Sequence, residues 1–431
     1  MWKRLLLVNR LARTVTPLHK VPYNEQLVKK EKVMRRVLKK IYNIIKHNRK
    51  SSTEFLDNQA ELNSGQICEF QEVKPSPVTE GYRNKHAILI GFDVNKNIIA
   101  GYPLQKQNDD QIHVKADKLC IISDHHKYIN QLLEEFIKRP PLPAEEYNGL
   151  WRSGSVRTTT TGETMLTLTV NPYLLSQEDL EMAKKSYIEY FTDGNGAQAN
   201  IHSLYMELCS SRIPRHANSQ LLHLSGQKYI TEKLNDKEFR ITPYSFFQVN
   251  THCAEVLYNN ISDLININSG TTHLLDMCCG TGTIGILLSN YVDQVCGIEV
   301  SKEAIECAKE NALLNDVKNI KFVCGTAEDV LNQLILEDSP VLKADNLVVV
   351  LNPGRLGFKS KFIRRLRRIS AINHFIFVTC KPSGVIIQNL VQLMMDDTKG
   401  NLGEPFSPQT SVAVDLFPHT KHCELIISMT R

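Results

Sequence analysis

The chain has 431 residues, 42% of them hydrophobic, and 51 Lys/Arg against 46 Asp/Glu give a net charge of +5. That length favours two domains and a tail, and no apolar run approaches the ~18 residues of a membrane-spanning helix, so a soluble protein is expected. Eleven cysteines without close, even spacing exclude a disulfide framework and imply a reducing compartment.

The charge is unevenly placed. Residues 1–50 hold 15 Lys/Arg and two acids, Glu25 and Glu31, whereas the remainder holds 36 cations and 44 acids. The opening MWKRLLLVNRLARTVTPLHK has five cations and no acid, with Leu5, Leu6, Leu7 and Leu11 between them. This amphipathic, acid-free pattern reads as a mitochondrial transit peptide over residues 1–28, with the matrix as location. From Lys29 to Lys50, Val33, Val37, Leu38, Ile41, Ile44 and Ile45 recur near helical spacing. Ten cations and one glutamate in that stretch suit a polyanion, either nucleic acid or anionic lipid, because a merely solvated helix balances its signs. Residues 51–75 are polar and mixed, and complete a 29–75 region of basic helix and linker.

Residues 76–240 read as an α+β segment with an antiparallel sheet. HAILIGFDVNKNIIAGYPL and LWRSGSVRTTTTGETMLTLTV are apolar runs broken by turn signals at Asn95 and Gly162-Glu163. SQEDLEMAKKSYIEYF is a helix capped by Ser176, with Glu178 and Asp179 in its first turn. From 241 to 431 strands and helices alternate, beginning with the helix THCAEVLYNNISDLI and the strand THLLDM. That rhythm implies an α/β fold with a doubly wound, mostly parallel sheet.

LLDMCCGTGTIGILL places Gly280-x-Gly282-x-x-Gly285 after a strand and at the start of a helix, and Glu299 ends the next strand 19 residues after Gly280. Glycines admit a ligand to the backbone, the helix N-terminus favours its polar groups, and the acid suits ribose hydroxyls, so a dinucleotide site fits. Asp276 just before the loop argues otherwise, since a pyrophosphate would meet its charge. A carboxylate there suits a cationic ligand such as S-adenosylmethionine. Two further strand ends carry chemistry: VVVLNPGRLG delivers Asn352 and Arg355, and FIFVTCKPSG delivers Cys380. HCELIISMTR puts Glu424 at the start of a last apolar strand. A lone strand-end cysteine is ordinarily core filler.

GYRNKHAILIGF, SFFQVN, DMCCGTGTIGI, NPGRLG, FVTCKPSG and VDLFPHTKHCELI appear in the order found in the RNA uracil-5-methyltransferase family, and residues 80–431 resemble it throughout. The NPGR and FVTCK variants and the leader-like start resemble its animal mitochondrial branch. The resemblance implies a class I methyltransferase core joined to a smaller RNA-contacting domain, S-adenosylmethionine as cofactor, and tRNA as substrate with ribosomal RNA as a second candidate. It makes Cys380 the nucleophile that adds to uracil C6 and Glu424 the base that removes the C5 proton. It assigns Gln248, Glu299 and Asn352 to the cofactor pocket, with Gly280 giving close backbone approach and Asp276 shaping the wall. Arg355 is a candidate to orient the base or to stabilise charge at its O4.

Two departures stand out. Asn352 occupies the place of the family's usual aspartate, which keeps a hydrogen-bonding side chain but loses the charge. The iron–sulfur cysteines of some relatives are missing, Cys68 being the sole cysteine before the YRN segment, so neither cluster nor metal is expected. Unstacking a uridine from folded RNA costs a few kcal/mol, and KSKFIRRLRR (359–368) is a candidate to hold phosphates meanwhile. Tyr244, Phe246 and Phe247 are candidates for stacking on bases, with core packing expected for at least one. The rival readings are a cytosine-5 methyltransferase, a catalytically weak RNA-binding or RNA-folding protein on the same fold, and an NAD oxidoreductase.

Overall fold

In the computed structural model of the chain, residues 2–47, 54–107, 110–146, 148–210, 219–265, 270–396 and 403–431 are described. The last three residues of the basic stretch and the first three of the expected linker lie outside them.

The N-terminal helices are built into the body. α1 (Trp2–Val15) packs Leu11 and Ala12 with Tyr82, Leu104 and Val114. α2 (Tyr23–His47) buries Met34, Leu38, Ile41 and Ile45 in the apolar cluster of the C-terminal sheet, and α3 (Glu54–Leu62) adds Leu56 and Ala60. β1 (Glu69–Lys74) then joins the edge of that sheet. The expected linker is therefore a helix and an edge strand. Its polar composition concealed this because an edge strand is covered on one side: Phe70 and Val73 are inside, while Glu69, Gln71 and Glu72 are exposed.

Next come β2 (Lys85–Phe92), β3 (Ile98–Gln107), β4 (Asp110–Val114), α4 (Asp124–Phe136), β5 (Trp151–Thr158), β6 (Thr164–Val170), α5 (Gln177–Thr192), β7 (Ser203–Leu208) and β8 (Gln220–Gly226). The strands form a seven-stranded sheet in the order β4-β3-β2-β5-β6-β7-β8. β6 and β7 run parallel, unlike the other pairs. The expected all-antiparallel pattern fails there because α5 makes a crossover between them, and a crossover returns the chain in the same direction. Ser176 and Asp179 form a capping box that starts α5, as the sequence pattern predicts.

β9 (Ile230–Leu234) and β10 (Lys237–Ile241) form a hairpin whose Ile230, Leu234, Phe239 and Ile241 pack with Ala254 and Leu257 of α6 (Thr251–Leu264). The expected boundary at 240 thus runs through a packed unit. The remaining elements are β11 (Thr272–Met277), α7 (Thr283–Leu288), β12 (Gln294–Glu299), α8 (Lys302–Leu314), β13 (Ile320–Cys324), α9 (Ala327–Leu336) and β14 (Asn346–Leu351). They are followed by α10 (Ser360–Arg367), β15 (Ile372–Thr379), α11 (Val385–Met394), β16 (Ser407–Val414) and β17 (Glu424–Thr430). Eight strands pair in the order β1-β16-β17-β15-β14-β11-β12-β13. β11 to β15 are parallel, and β17 is antiparallel to both β15 and β16.

Candidate active site

The predicted residues meet at the carboxyl edge of the parallel strands. Gly280 follows β11, Glu299 ends β12, Asn352 follows β14 and Cys380 follows β15. Glu424 opens β17 at the same edge because β17 runs the other way. The register pairs Val378 with Ile426 and Thr379 with Leu425, so one further step sets Cys380 opposite Glu424. Residues opposed in this way have Cα atoms about 4.5–5.5 Å apart and side chains on the same face.

Cys380 is half-buried. Burial pushes its thiol pKa up, the Glu424 charge adds to this, and a hydrogen bond and positive charge from Arg355 pull it down. Glu424 is 4% exposed, and its Oε2 has no hydrogen-bond partner among the described residues. Burial raises its carboxyl pKa from 4.5 to about 8 despite the opposing Arg355 guanidinium. Burial thus lifts both the thiol and the carboxyl, and one arginine opposes the shift in each.

The raised value has a stability consequence. Between pH 4.5 and about 8 the folded chain holds the Glu424 proton and the unfolded chain releases it. The stabilising effect of that proton is complete below 4.5 and is lost as pH rises through about 8. Glu424→Gln removes the titration, so denaturant unfolding at pH 5 and 8.5 should show a smaller decline for the variant than for the wild type. Equal declines would contradict the burial of this carboxyl.

The glycine loop is held by carboxylates. Gly280 has φ +56° and a Cβ there would meet nothing within 4 Å, so open space lies before the backbone. Gly282, at φ +80°, would drive a Cβ to 2.8 Å from Phe322 Cζ, so only glycine fits there. Glu299 accepts the Gly280 N–H at 3.3 Å and those of Val300 and Ser301 at 2.8 and 3.0 Å. Asp276 sits behind the loop, where the Glu299 charge reaches it. It is 0% exposed and accepts the Gly285 N–H at 2.9 Å, which fixes the start of α7 to β11. Burial raises its pKa to about 7, against the Gly285 hydrogen bond.

Gln248 lies off the sheet, between β10 and α6, and is 6% exposed. Its carbonyl accepts from Asn84 Nδ2 at 2.8 Å, which ties the central sheet to the site. Asn352 is half-buried. Of the three aromatic candidates, Phe247 is core at 3% exposure, Tyr244 donates to Glu207 at 2.8 Å, and Phe246 stands 66% exposed. The 359–368 stretch leads away from the site, since α10 starts after β14, at the edge that carries Asn352, and ends before β15. Arg367 is buried and donates to the carbonyls of Gln392, Met395 and Gly403. Arg368 precedes β15 whereas Cys380 follows it, so the end of the stretch sits at the opposite sheet edge, while Lys361 near its start lies 3.6 Å from Glu328 in the first turn of α9. Among the described residues no group of three or more His, Cys, Asp or Glu is placed to hold a metal, and no helix is long and apolar enough to cross a membrane.

Sequence reasoning missed one polar cluster. Lys30, counted among the surface cations, is buried and paired with Asp415, and it also donates to the Phe417 carbonyl at 3.0 Å. Gln26 accepts the His419 N–H at 2.8 Å. These contacts grip the loop that runs from β16 to Glu424, across a gap in sequence that no local signal spans.

Comparison with known proteins agrees with the geometry. The tRNA (Uracil-5-)-methyltransferase family matches residues 198–431. A human tRNA (uracil-5-)-methyltransferase homolog B is 37% identical over 98% of this chain and 84% of its own length. A mouse homolog A is also 37% identical, over 98% of this chain and 69% of its own. The crystal structure of Pyrococcus abyssi tRNA (uracil-54, C5)-methyltransferase in complex with S-adenosyl-L-homocysteine has the same fold, at TM-score 0.66 and 22% identity over 95% of this chain and 84% of that one.

Proposed function

The chain belongs to the tRNA (uracil-5-)-methyltransferase family, and from that premise we propose that it methylates C5 of a uridine in tRNA, using Cys380 and Glu424. The observation that carries this is the strand register that opposes the two residues, with Arg355 acting on both.

The residues present suit S-adenosylmethionine. Gly280 leaves an open cradle, Glu299 offers a carboxylate to ribose hydroxyls, and the Gln248 and Asn352 amides supply neutral polar groups. When bound, the cofactor supplies an electrophilic methyl group. The protein makes uracil able to accept it. The Cys380 thiolate adds to C6, which turns C5 from a poor nucleophile into an enolate carbon. Arg355 holds the sulfur's charge before addition and opposes the charge that develops on the ring. Once C5 carries the methyl group, the Glu424 carboxylate takes the remaining C5 proton, the C5–C6 double bond re-forms and the thiolate leaves. A carboxyl near pKa 8 is a stronger base than an ordinary glutamate and titrates close to working pH.

The mitochondrial matrix is the location proposed, on the acid-free, amphipathic start. Ribosomal RNA is a second substrate candidate on the same chemistry. A second reading, an RNA-binding scaffold with little activity, follows from Asn352 in place of an acid. Incubation with labelled S-adenosylmethionine and tRNA transcripts, followed by nucleoside analysis, is expected to yield 5-methyluridine. Tight RNA binding without any methylated nucleoside would establish the scaffold instead.

A further inference from the structure

We propose that the outer face of α2 is a rail for the phosphate backbone of the RNA substrate, set in place relative to Glu424 by the helix's inner face. This rests on the reading that the substrate is RNA.

Lys29, Lys32, Arg36, Lys39 and Lys40 are all exposed. Their spacing of three and four places them in one stripe along the helix, opposite the buried Met34, Leu38, Ile41 and Ile45. None of the five forms an ion pair among the described residues. The acids of α2 do not balance them, since Glu25 lies in the first turn and Glu31 is held by Arg35 at 2.8 Å. Arg36, Lys39, Lys40 and His47 line an open groove on this face. The charge is concentrated there in a chain whose remainder beyond residue 50 holds 36 cations against 44 acids.

Two classes of polyanion suit such a helix, and the packing separates them. A helix that lies in a membrane surface must insert its apolar stripe among the lipids. The apolar stripe of α2 is already spent on the sheet, which leaves charge without a hydrophobic anchor. A phosphate backbone asks for charge alone.

The inner face supplies the alignment. Lys30 and Gln26 bind the loop of Asp415, Phe417 and His419 that leads into Glu424. From there to His47 the helix extends about 25 Å at 1.5 Å per residue. The rail thus begins beside the catalytic edge and leads away from it, long enough to follow several phosphates flanking the target uridine.

The test uses the full chain carrying Lys32→Gln, Arg36→Gln, Lys39→Gln and Lys40→Gln together, with Lys32→Arg, Lys39→Arg and Lys40→Arg as the charge-preserving control. Binding of a tRNA transcript is measured across a salt series, with steady-state kinetics on the same RNA. The glutamine variant should raise Kd and KM about tenfold or more near physiological salt and flatten the salt dependence by roughly one unit of slope for each phosphate it no longer neutralises. Its kcat at saturating RNA should match the wild type, and the arginine control should bind normally. Unchanged Kd and slope in a variant that still methylates would overturn the rail. Loss of binding to phosphatidylserine vesicles with RNA affinity intact would overturn it in favour of a lipid surface. If the unaltered chain methylates no tRNA yet the binding difference is present, the proposed function fails and the rail stands.

Discussion

Cys380→Ala is expected to lower methylation by about 10,000-fold or more and to form no covalent complex with RNA carrying 5-fluorouridine. Wild-type protein should form that complex and be unable to leave it, because fluorine at C5 cannot be removed as a proton. Glu424→Gln should divide the reaction at the opposite point. Its thiol can still add to C6, but the C5 proton then has no acceptor, and general-base losses of about 100- to 10,000-fold follow. The variant should therefore accumulate a covalent complex with ordinary uridine RNA, seen as a denaturation-resistant band that wild-type protein shows only transiently. Both outcomes follow from the proposed roles of the two residues, which lie one step beyond the Thr379–Leu425 pair of the register. A complex formed by Cys380→Ala would refute the nucleophile, and free turnover by Glu424→Gln would refute the base.

Lys30→Met should cost about 3–5 kcal/mol of stability, the usual effect of stranding one member of a buried ion pair. The side chains of Lys30 and Asp415 are 2% and 0% exposed. Removal of the ammonium leaves a buried carboxylate without its counter-charge. The nearby Tyr23 hydroxyl, held well above its usual pKa by burial first and by the Asp415 charge second, keeps its proton and can hydrogen-bond that carboxylate, but supplies no positive charge. The double variant Lys30→Met/Asp415→Leu removes both charges and should recover most of the loss. Urea unfolding of the three proteins decides the matter. A Lys30→Met cost below about 1 kcal/mol, the range of a surface pair, would contradict the burial.

Much of this protein was legible without coordinates because its signals are local. Helical spacing announces α2, the Ser176 cap announces α5, and glycines at positive φ announce the ligand loop after β11. Each depends on residues a few positions apart, where backbone geometry restricts the choice of side chain. The ordered motifs further assigned Cys380 and Glu424 their chemistry.

What the tertiary structure alone decided concerns pairs distant in sequence. The register of β15 on β17 opposes Cys380 to Glu424. The crossover of α5 makes one pair of strands parallel in a sheet expected to be antiparallel. β1 becomes an edge strand, though its composition reads as linker. Lys30, one of ten cations in a basic stretch, is buried by an aspartate 385 residues away, while its neighbours on α2 stay in water. Amphipathic periodicity shows that a helix has two faces. Which face is covered, and by what, depends on packing free energy summed over the whole chain, and no local window of sequence contains that sum.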